Sequence, residues 1–445
     1  MNRNSILLRV SLVLLFSTLA SAQNDWIRTG TGLGIDKPRI AVADFKAGNA
    51  DPATGSLQKV FNDTLWNDLS QSGILEVVSK SFYPLQQPGT PEEVNLGAWA
   101  NDPAKAAMLA FGNLNGATGD VAVMGWLYDV TNTQAPQILG KQYREKATEE
   151  NARLIAHRFA NEIIFRLGGG VQGIFETKIY YVRAPGKIGN KEIWVMDYDG
   201  NGAHPLTQLG TISLSPRPSP DNSRVAFSSM TSTGWQIRMY SLELGRMVSF
   251  AAFGGTNMSP AWSHDGRLAF SSSRNGDPEI YVSDAQGSNS RRITAYHGPD
   301  VAPTWNPKTG AQIAWVSGRS GLPHIYLMEA DGSNPQELTE EGYAVSPSWS
   351  PNGQFLTFAW IRHYGPGAPG AQDIYIFDLA SKRFVQLTHG AGRNDSPSWS
   401  PDGRHIVFQS NRSGNDQIWT MLADGTEQHR LTRGGVNTQP SWSWK

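Results

Sequence analysis

At 445 residues the chain has room for two or three domains, or for one small domain beside a long repeat array. A formal net charge of -1 and a pI near 6.8 exclude any strong electrostatic pull toward nucleic acid. Gly (46) and Pro (26) are abundant but fall at regular places, which points to turns rather than disorder, and Cys is absent, so no disulfide can assist the core.

The first residues read as a secretory leader. Arg3 and Arg9 supply positive charge, Val10 to Leu19 is a short apolar run, and Ala20-Ser21-Ala22 fits a small-residue cleavage site, so the mature chain is expected to start near Gln23. The run is too short to span a bilayer, no later segment reads as transmembrane, and no Cys could carry a lipid, so a soluble, exported product is expected. In a two-membrane bacterium the address is the periplasm. Residues 23–37, "QNDWIRTGTGLGIDK", read as a flexible tail; Gly30, Gly32 and Gly34 lack the flanking strand and helix that a phosphate loop needs.

Residues 38–169 read as an α/β domain. "RIAVADF" (39–45) and "ILEVV" (74–78) are strand-like, and between them Leu57, Val60, Phe61, Leu65 and Leu69 recur at helical spacing. Asp120–Val130 and Ile138–Ala147 read as a strand pair. Thr148 caps a helix whose inward face is Leu154, Ile155, Phe159, Ile163 and Leu167, and Gly168-Gly169-Gly170 ends it. His157 on this helix reads as a partly exposed structural residue. Residues 170–177 follow as a linker.

From 178 to 445 one phrase recurs. "SPSWSPDGRHIVFQSNRSG" begins at Ser396, with echoes beginning at Ser215, Ser259, Ala302, Ser346 and Gln439; the leading prolines, Pro216, Pro260, Pro303, Pro347, Pro397 and Pro440, lie 44, 43, 44, 50 and 43 residues apart. Two further anchors keep the same period: Ile193, Ile237, Ile280, Ile325, Ile374 and Ile418, and the threonines Thr207, Thr294, Thr339, Thr388 and Thr432. A period near 44 with Asp-Gly turns, short apolar strands and no helical spacing describes a four-stranded propeller blade, so six blades are expected. The last copy has no following strand and "KIYYVR" (178–183) has no preceding motif; together they make one blade, so the ends of the array should meet. Trp262, Trp305, Trp349, Trp399 and Trp442, with Pro218 in the first copy, are expected to pack between blades. Arg274, Arg319 and Arg412 share a hairpin position and read as a repeated salt bridge or turn contact. The insertion "IRHYGPGAPGAQ" (361–372) lengthens one interval and reads as a mobile loop able to reshape one rim.

Catalytic patterns are missing. There is no G-x-S-x-G elbow and no H-E-x-x-H, the nine histidines are scattered, and Asp197, Asp199 and Gly200 imitate only part of a calcium loop. No metal or cofactor is expected. The residues just before each motif differ from blade to blade (Thr256-Asn257, Asp300-Val301, Tyr343, Asn394-Asp395, Asn437-Thr438) and read as varied polar tips on a fixed frame, a recognition face at one end of the channel.

The order of leader, α/β domain and WSPDG-type blades, with "LQQPGTPEEVNLGAW" (85–99), resembles the TolB family of periplasmic Tol-Pal proteins. The resemblance implies a non-enzymatic scaffold without cofactors. One propeller face would bind Pal, a peptidoglycan-associated lipoprotein, and the mature N-terminal segment would bind TolA. Outer-membrane integrity and constriction at division would follow. Carried over by motif position, the Pal-facing candidates are Thr256, Asn257, Ser259, Asp300 and Val301 foremost, with Tyr343, Asn394, Asp395, Asn437 and Thr438; the TolA segment is residues 23–36, with Asp25, Trp26, Ile27, Ile35 and Asp36. A monomer that spans no membrane and binds no nucleic acid is expected, with room for other envelope proteins as partners. The alternative is an exported propeller enzyme, a polysaccharide lyase or a relative of the peptidases whose propellers share these blade motifs.

Overall fold

The computed structural model describes residues 31, 33–34, 36–49, 51–117, 119–186, 189–365, 368–369 and 371–445. The expected leader, and Asp25, Trp26, Ile27 and Ile35 of the tail, lie outside the described residues; Asp36 is exposed. The chain divides into two compact units, with the boundary between Glu176 and Thr177.

The first unit is a mixed sheet with helices. Strands β1 (Arg39–Val42), β2 (Lys46–Ala47), β3 (Glu76–Val77), β4 (Met108–Ala117), β5 (Asp120–Asp129) and β6 (Gln137–Lys146) run in the order β3-β1-β4-β5-β6, with β2 also on β4. β1 pairs parallel to β3 and β4, whereas β4, β5 and β6 are antiparallel. Helices α1 (Pro52–Gln71), α2 (Leu96–Ala100) and α3 (Glu149–Leu167) complete it. The apolar stripes fall as the spacing requires: Leu57, Phe61, Leu65 and Leu69 of α1 and Ile155, Phe159 and Ile163 of α3 are buried. Thr148 caps α3 by accepting the Asn151 N–H at 3.1 Å.

Three sequence expectations change here. "ILEVV" contributes only the two-residue β3, and the central strand β4 was not anticipated. Gly112 disguises it. A side chain there would meet the Met124 carbonyl and the Phe45 ring at under 2.5 Å, so the strand gives up a β-former to let the ring pass. His157 is also not partly exposed: it is buried, and its Nδ1 lies 2.7 Å from a buried Asp68 carboxylate oxygen, joining α3 to α1.

The second unit is a ring of six four-stranded antiparallel sheets. Blades 1 to 5 start at Ser213–Pro218, Asn257–Trp262, Asp300–Trp305, Tyr343–Trp349 and Asn394–Trp399, each first strand pairing with the strand after it. Blade 6 is composite. Its first strand, Val436–Trp442, pairs with Lys178–Ala184, with Ser441 opposite Tyr180 and Trp442 opposite Ile179. Each first strand packs on the next around the ring, and that of blade 6 packs on that of blade 1, so these strands line the axis. The expected α/β-plus-six-blade architecture and its closure are both present. The insertion, expected as a mobile loop, forms a short hairpin in which Tyr364–Gly365 pairs with Ala368–Pro369.

The motif tryptophans are buried at the ends of the first strands. The indole N–H of Trp262 donates to the Arg217 carbonyl at 3.1 Å and that of Trp349 to the Thr304 carbonyl at 3.2 Å, each one blade back. Trp442 donates to Thr177 Oγ1 at 2.8 Å, and Ser443 Oγ accepts the Lys178 N–H at 2.9 Å. Removing one buried indole of this kind costs about 3–5 kcal/mol. Trp442→Ala is therefore expected to lower the melting temperature of the propeller by several degrees, and deletion of residues 440–445 by more, as followed by circular dichroism. A melt unchanged by the deletion would show that the ring does not depend on this seam.

Candidate functional site

Every first strand carries the same distortion. Proline cannot donate a ladder hydrogen bond, and the residue before each motif proline takes a left-handed conformation: Ser215, Ser259, Ala302, Ser346, Ser396 and Gln439 have φ between 50° and 58°. The pairing register shifts at the same place in all six blades, which is a β-bulge. A non-glycine residue held there costs about 1–2 kcal/mol. Bonds between blades offset that cost: Ser215 N–H to Gln439 Oε1 at 2.8 Å, Ser259 N–H to Ser228 Oγ at 2.9 Å, Gln439 N–H to Gln409 Oε1 at 2.7 Å, and Ser346 Oγ to Asp395 Oδ1 at 2.8 Å.

Because the bulge breaks the in-out alternation, the first position of the motif strand points inward and the next two are partly exposed. Asn257, Asp300, Asn394 and Asn437 are therefore not polar tips. All four are at most 1% exposed and belong to a buried polar ladder. Asn257 Nδ2 donates to Gln236 Oε1 at 3.2 Å, Asn394 Nδ2 to Asp373 Oδ1 at 3.0 Å, and Asn437 Nδ2 to Gln417 Oε1 at 2.9 Å, each acceptor lying in the blade before. Asp300 is held by Arg319 at 2.9 Å, and Arg412 donates to Asn394 Oδ1 at 2.8 Å, so the repeated arginines make structural contacts.

The recurring threonines finish the ladder. Thr207, Thr294, Thr339, Thr388 and Thr432 accept the N–H of Ile193, Ile280, Ile325, Ile374 and Ile418 at 2.8–2.9 Å. Thr294 and Thr388 then donate to Glu279 Oε2 at 2.6 Å and Asp373 Oδ1 at 2.7 Å. Burial is the largest influence on Glu279 and raises its pKa; the Thr294 hydroxyl and Arg292 lower it, Asp300 adds to the rise, and the net shift is upward.

The residues that do reach the channel mouth at this end are Thr256, which is exposed, and Met258, Ser259, Val301, Tyr343, Asp395 and Thr438, which are half-buried. The second position of the strand varies (Leu214, Met258, Val301, Val345, Asp395 and Thr438), while serine recurs at the third (Ser215, Ser259, Ser346 and Ser396). Tyr343 meets exposed Tyr364 of the insertion hairpin in a tilted contact, ring centroids 5.9 Å apart, so the insertion adds to the surface beside Tyr343. Among the described residues no group of three or more His, Cys, Asp or Glu could hold a metal ion. Asp199 accepts the Asn201 N–H at 3.0 Å within its turn.

The opposite mouth, which the sequence reading did not single out, is a funnel of about 420 Å³ walled by the motif tryptophans and the prolines of the WSPDG turns. Arg217 stands where the funnel meets the channel, since it also lines the space below the bulges. No helix among the described residues is long and apolar enough to cross a membrane.

A closed ring of six WSPDG blades behind a separate α/β unit defines a class of propeller proteins with an amino-terminal domain. Residues 31–135 match the TolB amino-terminal domain, and residues 165–365 and 341–445 match the TolB β-propeller domain. The chain belongs to the TolB family. It is 35% identical over 208 residues to a protein TolB homolog of Chlorobium chlorochromatii, covering 47% of this chain and 46% of that one. It is 32% identical over 303 residues to the Tol-Pal system protein TolB of Desulfosudis oleivorans, covering 67% and 66%. The chain spans about half the length of the first curated relatives it matches. The solved structure of TolB from Acinetobacter baumannii shares the fold, with a TM-score of 0.77 over 92% of this chain and 97% of that one at 24% identity.

The ladder gives a pH-dependent expectation. A carboxyl whose native pKa is raised lends stability that is complete below its unfolded value, about 4.3, and is lost as pH rises through the native value. Glu279→Gln installs the amide that Gln236 and Gln417 already supply in blades 1 and 5. The variant should therefore gain stability relative to the unsubstituted protein across that rise, measured as the difference in melting temperature at a series of pH values from 4 upward. A difference that is flat with pH would refute the shift.

Proposed function

We propose that this protein is a periplasmic scaffold of the Tol-Pal system, exported by a leader cleaved near Ala22. In this reading it binds Pal at the propeller mouth where the bulges lie. It binds TolA through residues 23–36, and so supports outer-membrane integrity and constriction at division. The observation that carries the reading is family membership over both units, joined to a mouth at which a fixed buried frame presents a second strand position that varies among the blades. A non-enzymatic role agrees with this division, because a frame that spends its carboxylates on its own hydrogen bonds has none poised for acid-base work.

The contacts are assigned by exposure. Thr256, Ser259, Val301, Tyr343, Asp395 and Thr438 meet the partner, while Asn257, Asp300, Asn394 and Asn437 act at one remove by holding the strand starts. Truncating Asp300 would strand the Arg319 guanidinium, and breaking a buried pair in that way costs about 3–5 kcal/mol.

The test is calorimetric titration of the mature protein with the periplasmic domain of its host's Pal. Thr438→Ala should weaken binding at an unchanged melting temperature, Val301→Ala should weaken it with a small loss of stability because Val301 packs against the core, and Asp300→Ala should lower both. Loss of TolA binding on deleting residues 23–36, with Pal binding retained, is the companion result. Pal binding indifferent to Val301 and Thr438 would move the site off this mouth. Failure to bind Pal, together with turnover of a glycan or peptide, would replace the scaffold by the propeller enzyme.

A further inference from the structure

Ring symmetry supplies an internal control for every position. Between the motif proline and the motif tryptophan stands one residue, Ala261, Thr304, Ser348, Ser398 and Ser441 in blades 2 to 6, all small. Blade 1 has Arg217. Its guanidinium therefore projects where five other blades leave space, on the axis between the tryptophan funnel and the channel.

Among the described residues Arg217 has no counterion. Its one side-chain hydrogen bond runs from Nη1 to the carbonyl of Pro216 at 3.0 Å, and among the described residues no carboxylate pairs with it. None of the residues lining the funnel is acidic, and His264 and Lys308 add further basic groups. Arg217 is half-buried and lines both the funnel and the channel below it. Burial of this kind pulls its pKa down to about 10, still charged at neutral pH. A buried cation without a partner is costly, and a planar fork of N–H donors is matched best by a carboxylate.

We propose that the tryptophan funnel is a ligand site for a carboxylate carried on an apolar body, with Arg217 taking the carboxylate and the indole and proline walls taking the body. The volume of about 420 Å³ lies in the range of small-ligand pockets and accommodates one or two residues of that kind. A free aromatic acid and the C-terminal residue of a peptide share this chemistry. The site lies at the other mouth from the Pal surface proposed above and stands or falls independently of it.

The probes are N-acetyl-phenylalanine, its amide, and a tetrapeptide ending in phenylalanine as free acid or amide. Binding is read by calorimetry and by the fluorescence of the wall tryptophans, in a buffer free of carboxylates. The acid is expected to bind and the amide to bind at least tenfold more weakly. Arg217→Ala, which gives blade 1 the residue blade 2 already carries, should abolish that preference without lowering the melting temperature, and Arg217→Lys should retain part of it. Binding of the peptide acid as well as the free acid identifies a peptide terminus as the source; binding of the free acid alone identifies a small molecule. No binding of either acid up to ~10 mM, or equal binding of acid and amide, would overturn the proposal. An Arg217→Ala protein that binds the acid as tightly as the unsubstituted one would do the same.

Discussion

Ring closure is the constraint on which everything else in the propeller rests. Each sheet buries both faces against its neighbours, so an open ring would expose two faces at once. The chain closes it with strands more than 250 residues apart, Val436–Trp442 on Lys178–Ala184. The cost of such a loop grows only slowly with its length, but it must be met by contacts at the seam. They are dense there: Trp442 to Thr177, Ser443 to Lys178, Gln439 to Ser215, and Trp444 Nε1 to the Pro218 carbonyl at 3.1 Å. The last six residues are thus a structural element of the ring.

Closure places six proline-bulged strands around one axis, and the bulge divides labour along each strand. Its first residue turns inward and is spent on the blade before it. The next two are half-buried and keep part of their surface open while also bonding to neighbouring blades. Adjacent Asn394 and Asp395 thus differ in exposure, fully buried against half-buried, although both bond to the blade before.

Periodicity carried the fold into view. Prolines, isoleucines and threonines at a common interval are visible without coordinates because each performs the same physical task once per blade. The truncated copies made closure readable for the same reason. Burial of Asn257 and Asp300 was not readable, since variation before a conserved-looking turn suggests a solvated loop, and only the left-handed residue before proline reveals that the strand has already begun. Strand β4 was hidden by Gly112, whose presence answers to the Phe45 ring across the sheet. His157 looked like a surface residue because its partner, Asp68, is 89 positions away.

Departures from the repeat fall into two kinds, and the distinction bears on function. Pro218 stands where other blades have tryptophan, and the loss is made good within the chain, since the indole of Trp444 packs in from the C-terminus and bonds to its carbonyl. That departure is packing, and it is closed. Arg217, its neighbour, departs in the opposite sense, adding a charge that nothing among the described residues neutralises. Natural chains keep local choices consistent with the global fold and break that consistency chiefly where a site requires it. A break repaired from inside needs no ligand to explain it. One left unrepaired, on the axis of the ring and at the base of an aromatic funnel, has its missing half outside the chain.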